Sequence, residues 1–297
     1  MSASDASAPG SFPATGERDA SARRIAVVTG ASAGIGLYTA LGLARAGMRV
    51  TMIGRDPART EAARRFVSER VPGAQIETGL ADFASLAEIR RLAGEILAGH
   101  DRIDVLVNNA GLFSPKFERS RDGYEMTFAV NHLAPFLLTN LLLDRLKASA
   151  PSRIVNVASR AHYGARIDLA TIAGPRDWSM LKAYNRSKLA NILFTRELAA
   201  RLQGTGVVAT SLHPGVVATT LAQRGGIVGL VWRLAKPLMI SPEQGAETSV
   251  FLATVPDPAP FAGGYVVRKT LARPDPVALD ADLARRLWEE SARLVGL

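Results

Sequence analysis

The run Arg24–Thr29 (RIAVVT) passes straight into Gly30-Ala31-Ser32-Ala33-Gly34-Ile35-Gly36 and then into a helical pattern over 34–47. A short, continuously apolar run marks a strand buried on both faces, and such strands belong to parallel sheets. Glycines between strand and helix allow a tight turn and let backbone N–H groups approach a phosphate, while the helix N-terminus adds positive potential. The spacing is G-x-x-x-G-x-G, not the commoner G-x-G-x-x-G. Turns need glycine in any case, so the loop gains its meaning from its place between a first strand and a first helix. It predicts a dinucleotide site with Gly30, Ser32, Ala33, Gly34, Ile35 and Gly36 as binding residues.

The rest of the chain keeps the same alternation. Strand patterns recur at 49–53, 75–78, 103–107, 153–157, 206–212 and 264–267, with helical patterns at 57–70, 83–98, 122–147, 178–200, 244–253 and 280–294. This order predicts the α/β class: a single-domain Rossmann fold over 23–297, with a doubly wound, mostly seven-stranded parallel sheet and helices on both faces. Residues 1–22 are rich in Ser, Ala, Gly and Pro without periodicity and read as a disordered tail. They lack the apolar core of a signal peptide.

Composition excludes several classes. The chain has 297 residues and no cysteine, so it has no disulfide framework, thiolate nucleophile or Cys-ligated metal. His100, His132, His162 and His213 lack metal-ligand spacing, and no metal is assigned. The net charge of +9 comes from arginines scattered through Ala/Arg/Leu-rich helices, not from one basic run. That argues against nucleic acid and leaves anionic small ligands compatible. No uninterrupted apolar run reaches the roughly 20 residues of a membrane span. The expected location is cytoplasmic.

The end of the second strand bears on cofactor choice. An acidic residue there binds a free ribose 2′-OH, and an arginine pairs with a 2′-phosphate. Arg55 and Asp56 are both present. Asp56 precedes Pro57, the pattern of an N-cap with proline at the first helical position. Asp56 thus has a structural task, and Arg55 is left to read the ribose as in NADP(H), the alternative being an ordinary solvated arginine. Further on, Tyr184 and Lys188 lie four apart in a helix, which puts a phenol and an ammonium on one face. A nearby cation lowers a phenol pKa from about 10 and suits it to acid–base work on a hydroxyl or carbonyl oxygen. Alone, such a pair occurs often on solvated faces.

Together these residues resemble the short-chain dehydrogenase/reductase family, from Arg24 to the end of the chain. The matching motifs are Thr29–Gly36 (TGASAGIG), Asn108-Asn109-Ala110-Gly111, Asn131, Ser159, Tyr184-x-x-x-Lys188 and Pro214-Gly215. The retinol-dehydrogenase-like branch is the most similar, through 183–202, His213–Val217 and 286–297. The resemblance implies that Tyr184 passes a proton to or from the substrate oxygen. It implies that Lys188 lowers the Tyr184 pKa and bonds the nicotinamide ribose, and that Ser159 holds the substrate oxygen. Asn131 would anchor a water linking Lys188 to solvent. Asn109, Ala110 and Gly111 would line the adenosine side, with Asp82 on adenine. Pro214, Gly215, Val217 and Thr219 would close over the nicotinamide. Each has a plainer alternative: Asn131 satisfying a buried backbone group, Asp82 capping the third helix, Ser159 serving a turn.

The expected function is therefore an NADP-dependent oxidoreductase acting on an alcohol or carbonyl. A catalytically silent dinucleotide-binding protein on the same fold is the alternative. A light-driven pigment reductase, which shares the motifs, is disfavoured by the lack of cysteine. The glycine-led apolar segment 219–240 is expected to be a lid over an elongated, apolar substrate. Burial against the sheet or a partner subunit, as in a homo-oligomer, and shallow membrane-surface contact stay open for it.

Overall fold

The structure is a computed structural model. It describes residues 24–172, 174, 177–215 and 240–297. The expected tail, Val217, Thr219 and all of the 219–240 segment except Ile240 lie outside the described residues.

The chain builds β1 (Ile25–Thr29), α1 (Gly34–Arg45), β2 (Arg49–Gly54), α2 (Pro57–Arg70), β3 (Ile76–Leu80), α3 (Leu86–Gly99) and β4 (Val105–Asn108). There follow α4 (Met126–Ala148), β5 (Ser152–Val157), α5 (Met180–Arg201), β6 (Val207–His213), α6 (Pro242–Thr254), β7 (Tyr265–Val267), β8 (Thr270–Ala272) and α7 (Ala281–Val295). The sheet order is β3-β2-β1-β4-β5-β6-β7-β8, parallel throughout except for the β7–β8 pair. The order reverses between β1 and β4, so the loops after those strands open a crevice at the carboxyl edge.

Burial explains the elements. Every residue of β1, β4 and β5 is buried. One face of the sheet packs on α3, α4, α5 and α7 through residues such as Ile89, Phe136, Leu193 and Leu287. The other packs on α1, α2 and α6 through Leu41, Val67 and Leu252. On length and composition alone α4 is apolar enough to cross a membrane, yet 78% of its apolar window is buried inside the fold. It is a core helix.

Three expectations are corrected. The sheet has eight strands, not seven. β8 returns from β7 through Arg268 and Lys269, which take φ of 50° and 66°. A two-residue hairpin of this hand normally uses Asn or Gly, and the absence of that cue hid the strand. The third helix starts at Leu86, not Phe83, because Ser85 caps it by accepting the Glu88 N–H. The long helix starts at Met126, not Asp122, because the Glu125 carboxylate accepts the Thr127 and Phe128 N–H groups at 3.0 and 2.8 Å.

Within α4, residues Ala129–Leu133 form one wide π turn. Pro135 has no N–H to offer the Asn131 carbonyl four residues back, so the regular ladder is already broken here. The turn aims Asn131 and His132 at α5. His132 is fully buried, with Nδ1 3.3 Å from Asn191 Oδ1 and Nε2 2.9 Å from Ser291 Oγ. It joins α4, α5 and α7. Burial lowers its pKa from 6.5 to about 4, with the Asn191 bond opposing.

The unfolded chain therefore takes up the proton more readily than the folded one between about pH 6.5 and about 4. The stability contributed by keeping this ring neutral is complete above that window and is lost as pH falls through it. From about pH 7 to about pH 5 we expect a loss of about 2 kcal/mol from this group. Urea unfolding across that range should show a falling midpoint, and His132→Asn, weaker at neutral pH, should show a shallower fall. Parallel pH profiles for the two proteins would remove His132 as the source.

Candidate active site

The glycine loop leaves β1 at Thr29 and enters α1 at Gly34. Gly30 and Gly34 have φ of 65° and 58°, which glycine adopts without strain. A Cβ on Gly30 would lie 2.8 Å from the Ala110 Cα, and one on Gly36 would run into the Gly30 carbonyl and the Asn109 amide. The turn is pinned from β4. The Thr29 hydroxyl accepts the N–H groups of Asn109 and Ala110 at 3.0 and 2.9 Å and donates to the Val107 carbonyl at 3.3 Å. The Asn109 amide donates to the carbonyls of Thr29 and Gly30 at 2.8 and 3.2 Å.

The start of α1 differs from the other helix starts. α2, α3, α4, α5, α6 and α7 are each capped by an Asp, Ser or Glu side chain. α1 has Ala33 at its N-cap, no side-chain cap and no acidic residue in its first turn. Its leading N–H groups are thus offered to a ligand oxygen. This fits a dinucleotide phosphate at Gly30–Gly36, with Ser32, Ala33 and Ile35 among the loop residues.

At the end of β2 the Asp56 carboxylate accepts the Arg59 N–H at 2.8 Å, the cap expected from the Asp-Pro pair. Arg55 beside it is exposed and forms no ion pair among the described residues. Past β3, Asp82 accepts the Ala84 N–H at 3.0 Å and lies 3.5 Å from Arg121 Nη2. It makes a turn and an ion pair, not the helix cap.

A second group gathers at the ends of β5 and β6. Lys188 is buried, and its Nζ donates to the Val157 carbonyl at 2.9 Å and lies 5.6 Å from the Tyr184 ring centroid. The Ser159 hydroxyl accepts the Ala161 N–H at 3.2 Å and lies near enough to the Tyr184 phenol to lower its pKa. Asn131 Oδ1 accepts the Leu112 N–H at 2.7 Å, and its Nδ2 donates to the Leu112 carbonyl at 3.0 Å and to Ser187 Oγ at 3.0 Å. A Cβ on Gly111 would lie 3.3 Å from Asn131 Oδ1 and 3.7 Å from Lys188 Nζ. Asn131, Ser159, Tyr184, Lys188 and the Asn109–Gly111 stretch are thus brought together. Pro214 and Gly215 follow β6, Gly215 at φ 99° with no room for a Cβ beside Ile240.

The electrostatics differ from the sequence expectation. Burial pushes the Tyr184 phenol above its ordinary pKa, outweighing the Ser159 hydroxyl that lowers it. Burial also lowers Lys188 to about 8. Desolvation disfavours both charged forms, so the predicted lowering of the phenol is not the balance in this structure. The phenol is protonated at neutral pH, and the ammonium keeps most of its charge.

Sequence reasoning missed four neighbours. Phe113 packs edge-on against Tyr184 with centroids 5.0 Å apart, and Phe117 does the same to Trp178 at 5.8 Å. His213 takes the Arg160 N–H on Nδ1 at 3.3 Å, and burial lowers its pKa to about 4. His162 bonds the Ser159 carbonyl. Nothing in local spacing marks these contacts except the apolar run Leu112-Phe113.

Residues 24–226 match the short chain dehydrogenase family model. Human retinol dehydrogenase 13 is 44% identical over 282 residues, covering 91% of this chain and 84% of that protein. A crystal structure of a Mycobacterium paratuberculosis protein has 35% identity and a TM-score of 0.76, covering 93% of this chain and 94% of that one. The Pseudomonas aeruginosa RhlG/NADP active-site complex has 27% identity and a TM-score of 0.66, with 84% and 95% covered. Fold, site and these likenesses agree: the chain belongs to the short-chain dehydrogenase/reductase family, in its retinol-dehydrogenase-like branch, and is an oxidoreductase.

Proposed function

We propose that the protein is an NADP(H)-dependent oxidoreductase for an alcohol or carbonyl group on a lipophilic small molecule, with Tyr184 passing the proton. The observation that carries this reading is the meeting of Ser159, Tyr184 and Lys188 at the carboxyl edge of β5, beside the loop pinned by Asn109. A bound nicotinamide would supply or accept the hydride. In reduction the Tyr184 phenol gives its proton to the substrate oxygen, and in oxidation it takes one back. A protonated resting phenol suits the donor role. Lys188 stabilises the phenolate that forms, and Ser159 holds the substrate oxygen. Asn131, held by Leu112 and Ser187, anchors a water that links Lys188 to solvent. Gly30, Ser32, Ala33, Gly34, Ile35 and Gly36 take the pyrophosphate, with Asp82, Asn109, Ala110 and Gly111 on the adenosine side. Pro214 and Gly215 lead into Val217 and Thr219 over the nicotinamide.

The first test is turnover of a panel of aldehydes and alcohols by wild type and Tyr184→Phe. The variant should bind cofactor normally and lose at least about 100-fold in kcat. A variant within about threefold of wild type would remove Tyr184 from the proton path.

The choice of NADP(H) rests on Arg55, exposed at the end of β2 without an ion-pair partner among the described residues, with Asp56 committed to its cap. A charge-assisted bond to the 2′-phosphate contributes about 1.5–3 kcal/mol, so Arg55→Ala should weaken NADPH by roughly tenfold or more and leave NADH alone. An unchanged NADPH/NADH affinity ratio on titration would refute the assignment.

The lipophilic substrate is supported by the aromatic surround. Phe113 packs edge-on against the Tyr184 ring, and Phe117, on Trp178, and Leu181, three residues before Tyr184, are exposed apolar side chains. The retinol dehydrogenases among its relatives point the same way. For a series of straight-chain aldehydes, kcat/KM should rise by up to about fourfold per methylene, from about 0.8 kcal/mol each. A flat or falling series would set aside the lipophilic reading.

A further inference from the structure

His162 is wholly buried and lies three residues beyond Ser159, outside the proton path. Its Nδ1 is 2.6 Å from the Ser159 carbonyl oxygen, and its Nε2 is 3.0 Å from the Asp275 backbone nitrogen. A backbone N–H can only donate, so Nε2 must present its lone pair. The single proton of the neutral ring then sits on Nδ1 and is donated to the Ser159 carbonyl. One tautomer satisfies both bonds, and a second proton would break the bond to Asp275.

The same peptide plane is held at its other pole. The carbonyl of Ser159 and the N–H of Arg160 belong to one peptide bond, and the Arg160 N–H donates to His213 Nδ1 at 3.3 Å. Two rings therefore fix this plane, and with it the backbone angle that aims the Ser159 side chain. His162 is itself braced. Its ring lies 4.2 Å from that of Tyr163 and 4.9 Å from that of Tyr265. The Asp275 carboxylate accepts the N–H groups of Gly164 and Val277 at 2.8 and 3.0 Å. Burial holds the imidazole below its ordinary pKa, while the Ser159 carbonyl and the Asp275 charge oppose this.

We propose that His162 is a positioning residue. Through Nδ1 it orients Ser159 toward the substrate oxygen, and the Asp275 N–H on Nε2 selects the tautomer that carries the Nδ1 proton. The proposal rests on the reading that Ser159 holds the substrate oxygen. The segment 273–277, more than 100 residues from Ser159 in sequence, thereby decides which ring nitrogen carries the proton and not where Ser159 stands.

Two isosteres separate the bonds. Asparagine places its amide nitrogen near the Nδ1 position and loses the acceptor for Asp275. Glutamine reaches the Nε2 position with its oxygen and loses the donor to Ser159. Both leave a smaller side chain in the same pocket, and a purely structural role predicts similar damage from each. The measurements are NADPH-dependent reduction of decanal, NADPH affinity and Tm for wild type, His162→Asn, His162→Gln and Ser159→Ala.

We expect both His162 variants to bind NADPH like wild type and to lose a few degrees in Tm. His162→Asn should keep kcat within about threefold, and His162→Gln should lose at least about tenfold, as small misplacements at a reacting centre do. Equal kcat in the two variants, whether preserved or reduced, overturns the positioning role while a crippled Ser159→Ala leaves the reading of Ser159 standing. Wild-type kcat in Ser159→Ala overturns that reading, and the proposal falls with it.

Discussion

The carbonyl of Val157, at the last residue of β5, receives both Lys188 Nζ at 2.9 Å and Asn191 Nδ2 at 3.4 Å. A buried ammonium left without a partner costs several kcal/mol, so this bond fixes where α5 sits along the strand. The rest of the site follows from that docking. Tyr184 lies one helical turn before Lys188 and so stands above the sheet edge, and Ser159 lies two residues beyond Val157. One helix–strand bond and the four-residue period of a helix bring the phenol and the serine hydroxyl together.

A polar ladder crosses the core behind this bond. The Asn108 amide donates to Thr139 Oγ1 and Asn156 Oδ1 at 2.9 and 2.8 Å. The Asn156 amide donates to Thr195 Oγ1 at 2.9 Å, and Thr195 donates to the Asn191 carbonyl at 2.7 Å. Apolar side chains would fill the space, but they would not choose one register among β4, β5, α4 and α5. Directional bonds in a low-dielectric interior do choose, because a slipped partner leaves a buried amide unpaired. Asn131 and His132 extend the same logic from the π turn to the loop after β4 and to α7.

The sequence made some of this legible because its signals are local. β1, β4 and β5 are buried on both faces, so their apolar runs announce them. The cap at Asp56 is visible because Pro57 follows it. The Tyr184–Lys188 face needs only helix geometry. What escaped depends on tertiary structure. β8 lacked the turn residues that mark a hairpin, with Arg268 and Lys269 standing in a region that favours glycine. The π turn changes the pattern by a single residue, too little to read against a long apolar helix. The expected fall in the Tyr184 pKa followed from the Lys188 charge alone, whereas the balance is decided by desolvation, which spacing does not encode. His162 meets Asp275 across 113 positions.

The two halves of the site are held by opposite means. Beside Ser159 and Tyr184, both poles of the Ser159–Arg160 peptide have protein partners in His162 and His213. Around the glycine loop the carbonyls of Thr29 and Gly30 are bonded by Asn109, while the first N–H groups of α1 are left without the cap found on the six other α-helices numbered among the described residues. An N-cap serine or aspartate in place of alanine is worth about 1 kcal/mol to a helix. Here such a side chain would occupy the amides and bring negative partial charge to the point where a phosphate would approach. Ala33 therefore leaves a stabilising interaction unmade within the protein and keeps it for a ligand. Its small side chain does so without disturbing the turn that Thr29 and Asn109 hold in place.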